Sequence, residues 1–213
     1  MIFHLKRALL GPTPIHARLG LLYKRRYHYD GLPLDVLPGV FDPRQTLVGE
    51  WMALQLRPSP GERWLELGCG SGLISLCLAR RGALVTAVDL DPLAVQNTRH
   101  NAQLWGQSLD LRQGDLFDPL RQTQASFDVV VANLPFWEGE PDAGFWSLAM
   151  RAGRDFSLLR RFSKEFKDFA PRALLGLSEA GGHWRGAEAA LGGPTLLHRE
   201  RVHGEWLRLV ALR

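Results

Sequence analysis

The stretch Trp64-Leu65-Glu66-Leu67-Gly68-Cys69-Gly70-Ser71-Gly72 decides the reading of this chain: an apolar strand runs straight into a glycine-rich turn, and the helical pattern Leu73 to Arg80 follows at once. In that order the turn lies at the carboxyl end of a buried parallel strand, where open α/β sheets bind their ligands. Glycines at 68, 70 and 72 let the backbone take a positive φ, approach a ligand, or pack a helix tightly on a strand, none of which tolerates a Cβ. Working outward, Val85-Thr86-Ala87-Val88-Asp89 is a second strand ending in a carboxylate, 23 positions beyond Glu66, near the interval at which an acidic side chain reaches ribose hydroxyls. Gly114-Asp115 ends a third strand, and Phe127-Asp128-Val129-Val130-Val131-Ala132 is a fourth that exits through Asn133-Leu134-Pro135-Phe136.

The surrounding periodicity predicts strands near 63–67, 84–88, 108–112, 127–132 and 172–178, with helices near 46–56, 72–80, 92–104, 155–169 and 183–191. Strands alternating with helices argue for a parallel sheet with right-handed crossovers. The end differs. Thr195 to Val202 and Glu205 to Leu212 are strand-like runs joined by His203-Gly204, a tight hairpin signal, so one strand must be antiparallel. The expected fold class is therefore α/β: a single doubly wound, Rossmann-like sheet, mostly parallel with an antiparallel C-terminal hairpin. That final reversal counts against an all-parallel nicotinamide oxidoreductase.

At 213 residues and 46% hydrophobic content the chain suits one α/β domain. Cys69 and Cys77 offer neither a disulfide framework nor metal-ligand spacing, which fits a reducing compartment and packing roles. The apolar start Met1-Ile2-Phe3 is broken by His4, Lys6 and Arg7, so neither a signal peptide nor a membrane span is expected and the chain reads as cytoplasmic. The net charge of +4 and pI near 9.4 allow an acidic partner such as nucleic acid without requiring one. Residues 1–30 read as a basic N-terminal appendage to a domain spanning 31–213. Its end, Tyr23-Lys24-Arg25-Arg26-Tyr27-His28-Tyr29, interleaves cations with aromatics; such a segment can neutralise phosphates and stack on bases, or simply form a solvated edge. A short hairpin is expected within Gly31 to Gly39.

Taken together, Glu66-x-Gly68-x-Gly70-x-Gly72, Asp89, Asp115 and Asn133-x-Pro135-Phe136 resemble the class I S-adenosylmethionine (SAM) dependent methyltransferases that modify a planar nitrogen, over roughly Leu32 to the C-terminus. The resemblance implies SAM as cofactor, S-adenosylhomocysteine as product, and no metal. Gly68, Gly70 and Gly72 with Glu66 would hold the amino-acid end of SAM. A carboxylate there repels phosphate but attracts an ammonium, and Leu73 stands where the dinucleotide fingerprint asks for a third glycine or alanine. Asp89 would accept from the ribose hydroxyls and Asp115 from the adenine amine, with Leu90 and Leu116 sandwiching the ring. Asn133 and the carbonyl of Leu134 would draw out the acceptor nitrogen, with Pro135 shaping the turn and Phe136 stacking on the acceptor. Leu134 replaces the family's first proline and releases the φ constraint that would aim this carbonyl.

The acceptor stays open between two classes. Leu37-Pro38-Gly39-Val40-Phe41 with Asn133-x-Pro135-Phe136-x-x-Gly139 resembles the rRNA guanine-N2 methyltransferases of the methyltransferase-small group, although Trp137 replaces their histidine. Gly153-Arg154-Asp155 through Leu175-Gly176-Leu177-Ser178 is similar to the small protein-glutamine methyltransferases. RNA is the preferred partner and a protein glutamine the alternative. A non-catalytic SAM-binding module, with Leu134 marking a decayed motif, is the third reading.

Overall fold

The computed structural model describes residues 24–141 and 149–213. Seven of its strands are β3 (Arg63–Leu67), β4 (Leu84–Asp89), β5 (Asp110–Gln113), β6 (Val129–Ala132), β7 (Ala173–Ser178), β8 (Thr195–Val202) and β9 (Glu205–Leu212), and they form one sheet in the order β5-β4-β3-β6-β7-β9-β8. The pairings from β5 to β7 are parallel, while β9 runs antiparallel to both β7 and β8. Only β9 is reversed, as the His203-Gly204 turn requires.

The chain runs outward from β3 to β5 and then returns to place β6 on the other side of β3. The strand order thus reverses between β3 and β6, which makes the crevice beyond their carboxyl ends the binding position of the sheet. Alternation along each strand feeds two cores. Leu65 and Leu67 of β3 with Val130 and Ala132 of β6 enter one, while Trp64 with Val129 and Val131 enter the other. Both faces are covered, which accounts for the continuous apolar run of β6.

Helices α1 (Val48–Gln55), α2 (Leu73–Arg80) and α3 (Pro92–Trp105) supply the second core; α4 (Ser157–Glu165) and, through Ala187 and Ala190, α5 (Trp184–Ala190) supply the first. Asp91 caps α3 by accepting from Leu93 N at 2.9 Å, with Pro92 at the first helical position and left-handed Gly106 at the end. Helix α1 lies close on β7 because Gly176 has no side chain; a Cβ there would collide with Met52 Sδ and Val48 Cγ1.

Strands β1 (Arg25–Tyr29) and β2 (Leu32–Val36) form a separate antiparallel hairpin. Its turn is Asp30-Gly31, both at positive φ, so the hairpin begins before the expected 31–39 and spans the boundary drawn at residue 30. Most of the N-terminal appendage, including Tyr23, lies outside the described residues. No helix among the described residues is long and apolar enough to cross a membrane.

Candidate active site

A cavity of about 490 Å³ opens at the switch point, within the range of small-molecule sites. Of the twelve residues singled out from the sequence, eleven line it: Glu66, Gly68, Gly70, Asp89, Leu90, Asp115, Leu116, Asn133, Leu134, Pro135 and Phe136. Gly72 does not. It sits at φ +86°, and a Cβ there would stand 2.8 Å from Thr98 Cγ2, so this glycine serves the packing of α2 against α3.

Glu66 is buried, and its Oε2 accepts from both Ser75 N, at 2.8 Å, and Ser75 Oγ. Ser75 N is one of the unpaired amides in the first turn of α2, whose preceding residue Gly72 offers no side-chain cap. Glu66 therefore caps the helix from the neighbouring strand. Burial pushes its carboxyl up to about 8, against the pull of the Ser75 donors, and the nearby Asp89 charge adds to the rise.

Asp89 holds the turn together. Its Oδ2 accepts from Gly70 N at 2.8 Å and its Oδ1 from Asp91 N at 2.9 Å. Each oxygen keeps a further acceptor position. Burial raises its pKa, while these amides oppose the shift. Asp115 differs from the simple acceptor expected of it: its Oδ2 pairs with Arg161 Nη1 at 2.5 Å, while Oδ1 makes no such contact among the described residues. Leu116 is buried at φ +47°, a strained conformation for a non-glycine residue at a binding loop, whereas Leu90 is 61% exposed.

Asn133 follows the last residue of β6, whose Ala132 pairs with Leu67 and Leu175. Its side chain makes no hydrogen bond among the described residues. Leu134, by contrast, is buried in the core, and its Cδ2 lies 3.4 Å from where a Cβ on Gly68 would be. Packing thus holds the position where the family's proline would restrict φ. Phe136 is also buried, and Trp137 beyond it stacks on His183 at 5.8 Å.

One feature escaped the sequence reading, the polar face of α3. Asn97 Nδ2 and Asn101 Nδ2 both donate to Asp35 O, Asn101 Nδ2 also reaches Ser71 O, and Thr98 Oγ1 donates to Gly70 O at 3.1 Å. These side chains are fully buried and tie the β1–β2 hairpin to the glycine turn. Asn97, Thr98 and Asn101 at helical spacing, leading to Trp105, were the available signal. The near side of the cavity is lined by Val40 and Phe41, from the stretch that resembles the guanine-N2 enzymes, and by Pro43 and Thr46.

The basic segment Lys24-Arg25-Arg26 is engaged within the fold. Lys24 Nζ, Arg26 Nε and His100 Nε2 converge on buried Asp35 at 2.7, 2.6 and 2.7 Å, and Arg25 Nη1 meets buried Asp42 at 3.0 Å. The bidentate Arg26 contact is the main reason that the Asp35 carboxyl lies well below the usual range. All three cations pair with buried carboxylates, while the Lys24 and Arg26 side chains stay 45% and 53% exposed, so the segment is a folded, still basic edge.

The acidic Glu66 beside the glycine turn disfavours a phosphate-bearing ligand, and the reversed β9 separates this sheet from the all-parallel dinucleotide folds. What remains is the architecture of the class I methyltransferases. The chain belongs to the class I SAM-dependent methyltransferases, as a 30% identical methyltransferase relative covered over 71% of its length shows, and the family described as methyltransferase domain matches residues 65–150. A protein of Methanocaldococcus jannaschii named for protein N5-glutamine methyltransfer is 30% identical over 145 residues, covering 66% of this chain and 71% of that one. The ribosomal RNA small subunit methyltransferase C of Chromohalobacter salexigens is 37% identical over 116 residues, covering 52% of this chain and 34% of that one. The chain spans between 34% and 49% of the length of the first curated RNA methyltransferases it matches. Among solved structures, the Thermus thermophilus 16S rRNA N2 G1207 methyltransferase, in complex with AdoMet and guanosine, superposes with a TM-score of 0.61. It is 20% identical and covers 90% of this chain and 50% of that one, a likeness of fold.

Proposed function

We propose that this protein is an N-methyltransferase that uses SAM to methylate a planar nitrogen, an exocyclic amine of an RNA base, and releases S-adenosylhomocysteine. The observation that carries the reading is that one cavity at the switch point is lined both by Glu66 and Asp89 and by Asn133 to Phe136. The donor set fits the cofactor. The Glu66 carboxylate suits the ammonium of the methionine moiety and would not suit a pyrophosphate, and the two oxygens of Asp89 suit a ribose diol.

The cofactor supplies an electrophilic sulfonium methyl and leaves as a neutral thioether. Glu66 would take the ammonium, directly or through water, and Asp89 the 2′ and 3′ hydroxyls. Leu90 and Leu116 would flank the adenine, with Asp115 Oδ1 accepting from its amine. On the acceptor side, an amine attached to a planar ring is a poor nucleophile because its lone pair is delocalised. Asn133 Oδ1 and the Leu134 carbonyl, both accepting from the NH2, would draw the lone pair out of conjugation, aim it, and stabilise the positive charge that develops on nitrogen. Phe136 would stack on the planar group.

A protein glutamine is the second reading, favoured by the M. jannaschii relative, of which this chain covers the larger part. Labelling fractionated cell extract with methyl-tritiated SAM separates the two. Label lost to ribonuclease supports RNA, and label lost to protease supports glutamine. SAM binding with no transfer to either would favour the non-catalytic module and overturn the catalytic assignment.

A further inference from the structure

Helix α1 meets the Asn133 motif at a residue without a side chain. Gly49, in the first turn of α1, lines the cavity. A Cβ built on it would stand 3.3 Å from Asn133 Nδ2 and 3.6 Å from Pro43 Cβ. The nitrogen end of the Asn133 amide therefore lies toward the helix. Its oxygen, the end needed to accept from an incoming amine, is turned away.

Neither side of this contact can retreat freely. Moving α1 outward would lift Val48 and Met52, both essentially unexposed, from the seat that Gly176 leaves for them on β7. Asn133 is fixed at its backbone by β6, which is paired on both sides. A larger residue at 49 must therefore be absorbed by the Asn133 side chain. Glycine is a weaker helix former than alanine, so helix propensity does not explain its presence in the eight-residue α1.

We infer that Gly49 is a positioning residue of the acceptor site: its missing side chain holds the Asn133 amide with its oxygen outward and leaves clearance for a flat amino group. The inference rests on the reading of Asn133 as the group that orients the acceptor, and it adds a positioning residue on a different element from the motif itself.

The test compares wild type, Gly49→Ala, Asn133→Ala and the double variant. Each is saturated with methyl-tritiated SAM and given total RNA and total protein from a strain lacking the gene. Gly49→Ala should transfer methyl at least about tenfold more slowly, since small misplacements of a positioned group have effects of about this size or larger. Its SAM affinity should stay within about twofold of wild type and its thermal midpoint should not fall, given alanine's better helix propensity. The double variant should be no slower than Asn133→Ala alone, because the two residues act through one amide. A wild-type rate in Gly49→Ala, effects that multiply in the double variant, or a parallel fall in SAM affinity and thermal midpoint would each overturn the inference. If wild type labels neither extract, the proposed activity fails, and the inference is then decided by NMR. The Asn133 side-chain amide resonances, assigned by their loss in Asn133→Ala, should shift in Gly49→Ala. Unchanged resonances would refute it.

Discussion

If Glu66 receives the ammonium of SAM, cofactor binding must be coupled to a proton. Burial disfavours the charge of this carboxyl and pushes it up to about 8, so at pH 7 only about one molecule in ten carries the carboxylate, and at pH 6 about one in a hundred. Apparent affinity scales with the competent fraction. The SAM dissociation constant should therefore fall about tenfold from pH 6 to 7 and roughly threefold more from pH 7 to 8, where the ligand's α-amino group begins to lose its charge. Above about pH 8 the ligand's own α-amino group loses its charge, and affinity should turn down.

Glu66→Gln keeps an acceptor for Ser75 but removes the titration. A hydrogen bond to a charged group contributes about 1.5–3 kcal/mol, while deprotonation costs about 1.4 kcal/mol for each pH unit below the pKa. At pH 6 these terms nearly cancel, so the variant should bind about as well as wild type; at pH 8 it should bind roughly tenfold more weakly. Calorimetry at pH 6, 7 and 8, in buffers of different ionisation enthalpy, reads both the affinities and the proton released. A wild-type dissociation constant that is flat over this range, or the same slope in Glu66→Gln, would refute the assignment of Glu66 to the ammonium. The same shift has a consequence for the free protein. A carboxyl whose folded pKa exceeds its unfolded value contributes stability that is full below about pH 4.5 and is lost as pH rises toward 8, so the thermal midpoint of wild type should decline over that window more than that of Glu66→Gln.

Asp89→Ala removes the acceptor of the Gly70 and Asp91 amides together with the candidate diol ligand, and should weaken SAM binding by about 1–3 kcal/mol; unchanged affinity by calorimetry would take Asp89 out of the site. Asn133→Ala should slow methyl transfer by about 10²-fold or more at nearly constant SAM affinity, and wild-type turnover would leave it as a turn residue. Replacing Lys24, Arg25 and Arg26 together by alanine leaves buried Asp35 with His100 and buried Asp42 with Arg44. It should lower the thermal midpoint by several degrees, about 2–4 °C per kcal/mol at this chain length, without changing the salt dependence of RNA binding. An unaltered midpoint with a log–log slope reduced by about 0.7–0.9 per removed cation would restore the segment as a phosphate contact.

How far the chain could be read follows from the range of the forces involved. The turn from Glu66 to Gly72, the capped start of α3 at Asp91-Pro92, and the His203-Gly204 reversal are set by neighbours within a few residues, and each stands in the fold where its local pattern put it. What escaped is long-range. Lys24 and Arg26 answer to Asp35, and Asp35 in turn to His100; Asn101 spans from the hairpin to the Ser71 carbonyl. A run of cations looks the same in one dimension whether its counter-charge is a phosphate or a buried aspartate on the next strand. The deciding information was burial: Asp35 inside a hairpin held by α3 must be neutralised by the chain itself. The same reasoning applies to Leu134. Its substitution for proline reads as lost rigidity when only φ is considered, yet the side chain anchors in the core against the Gly68 backbone. Restraint by packing replaces restraint by a ring, so the carbonyl proposed to face the acceptor is held by a contact with the turn that lines the other half of the same cavity.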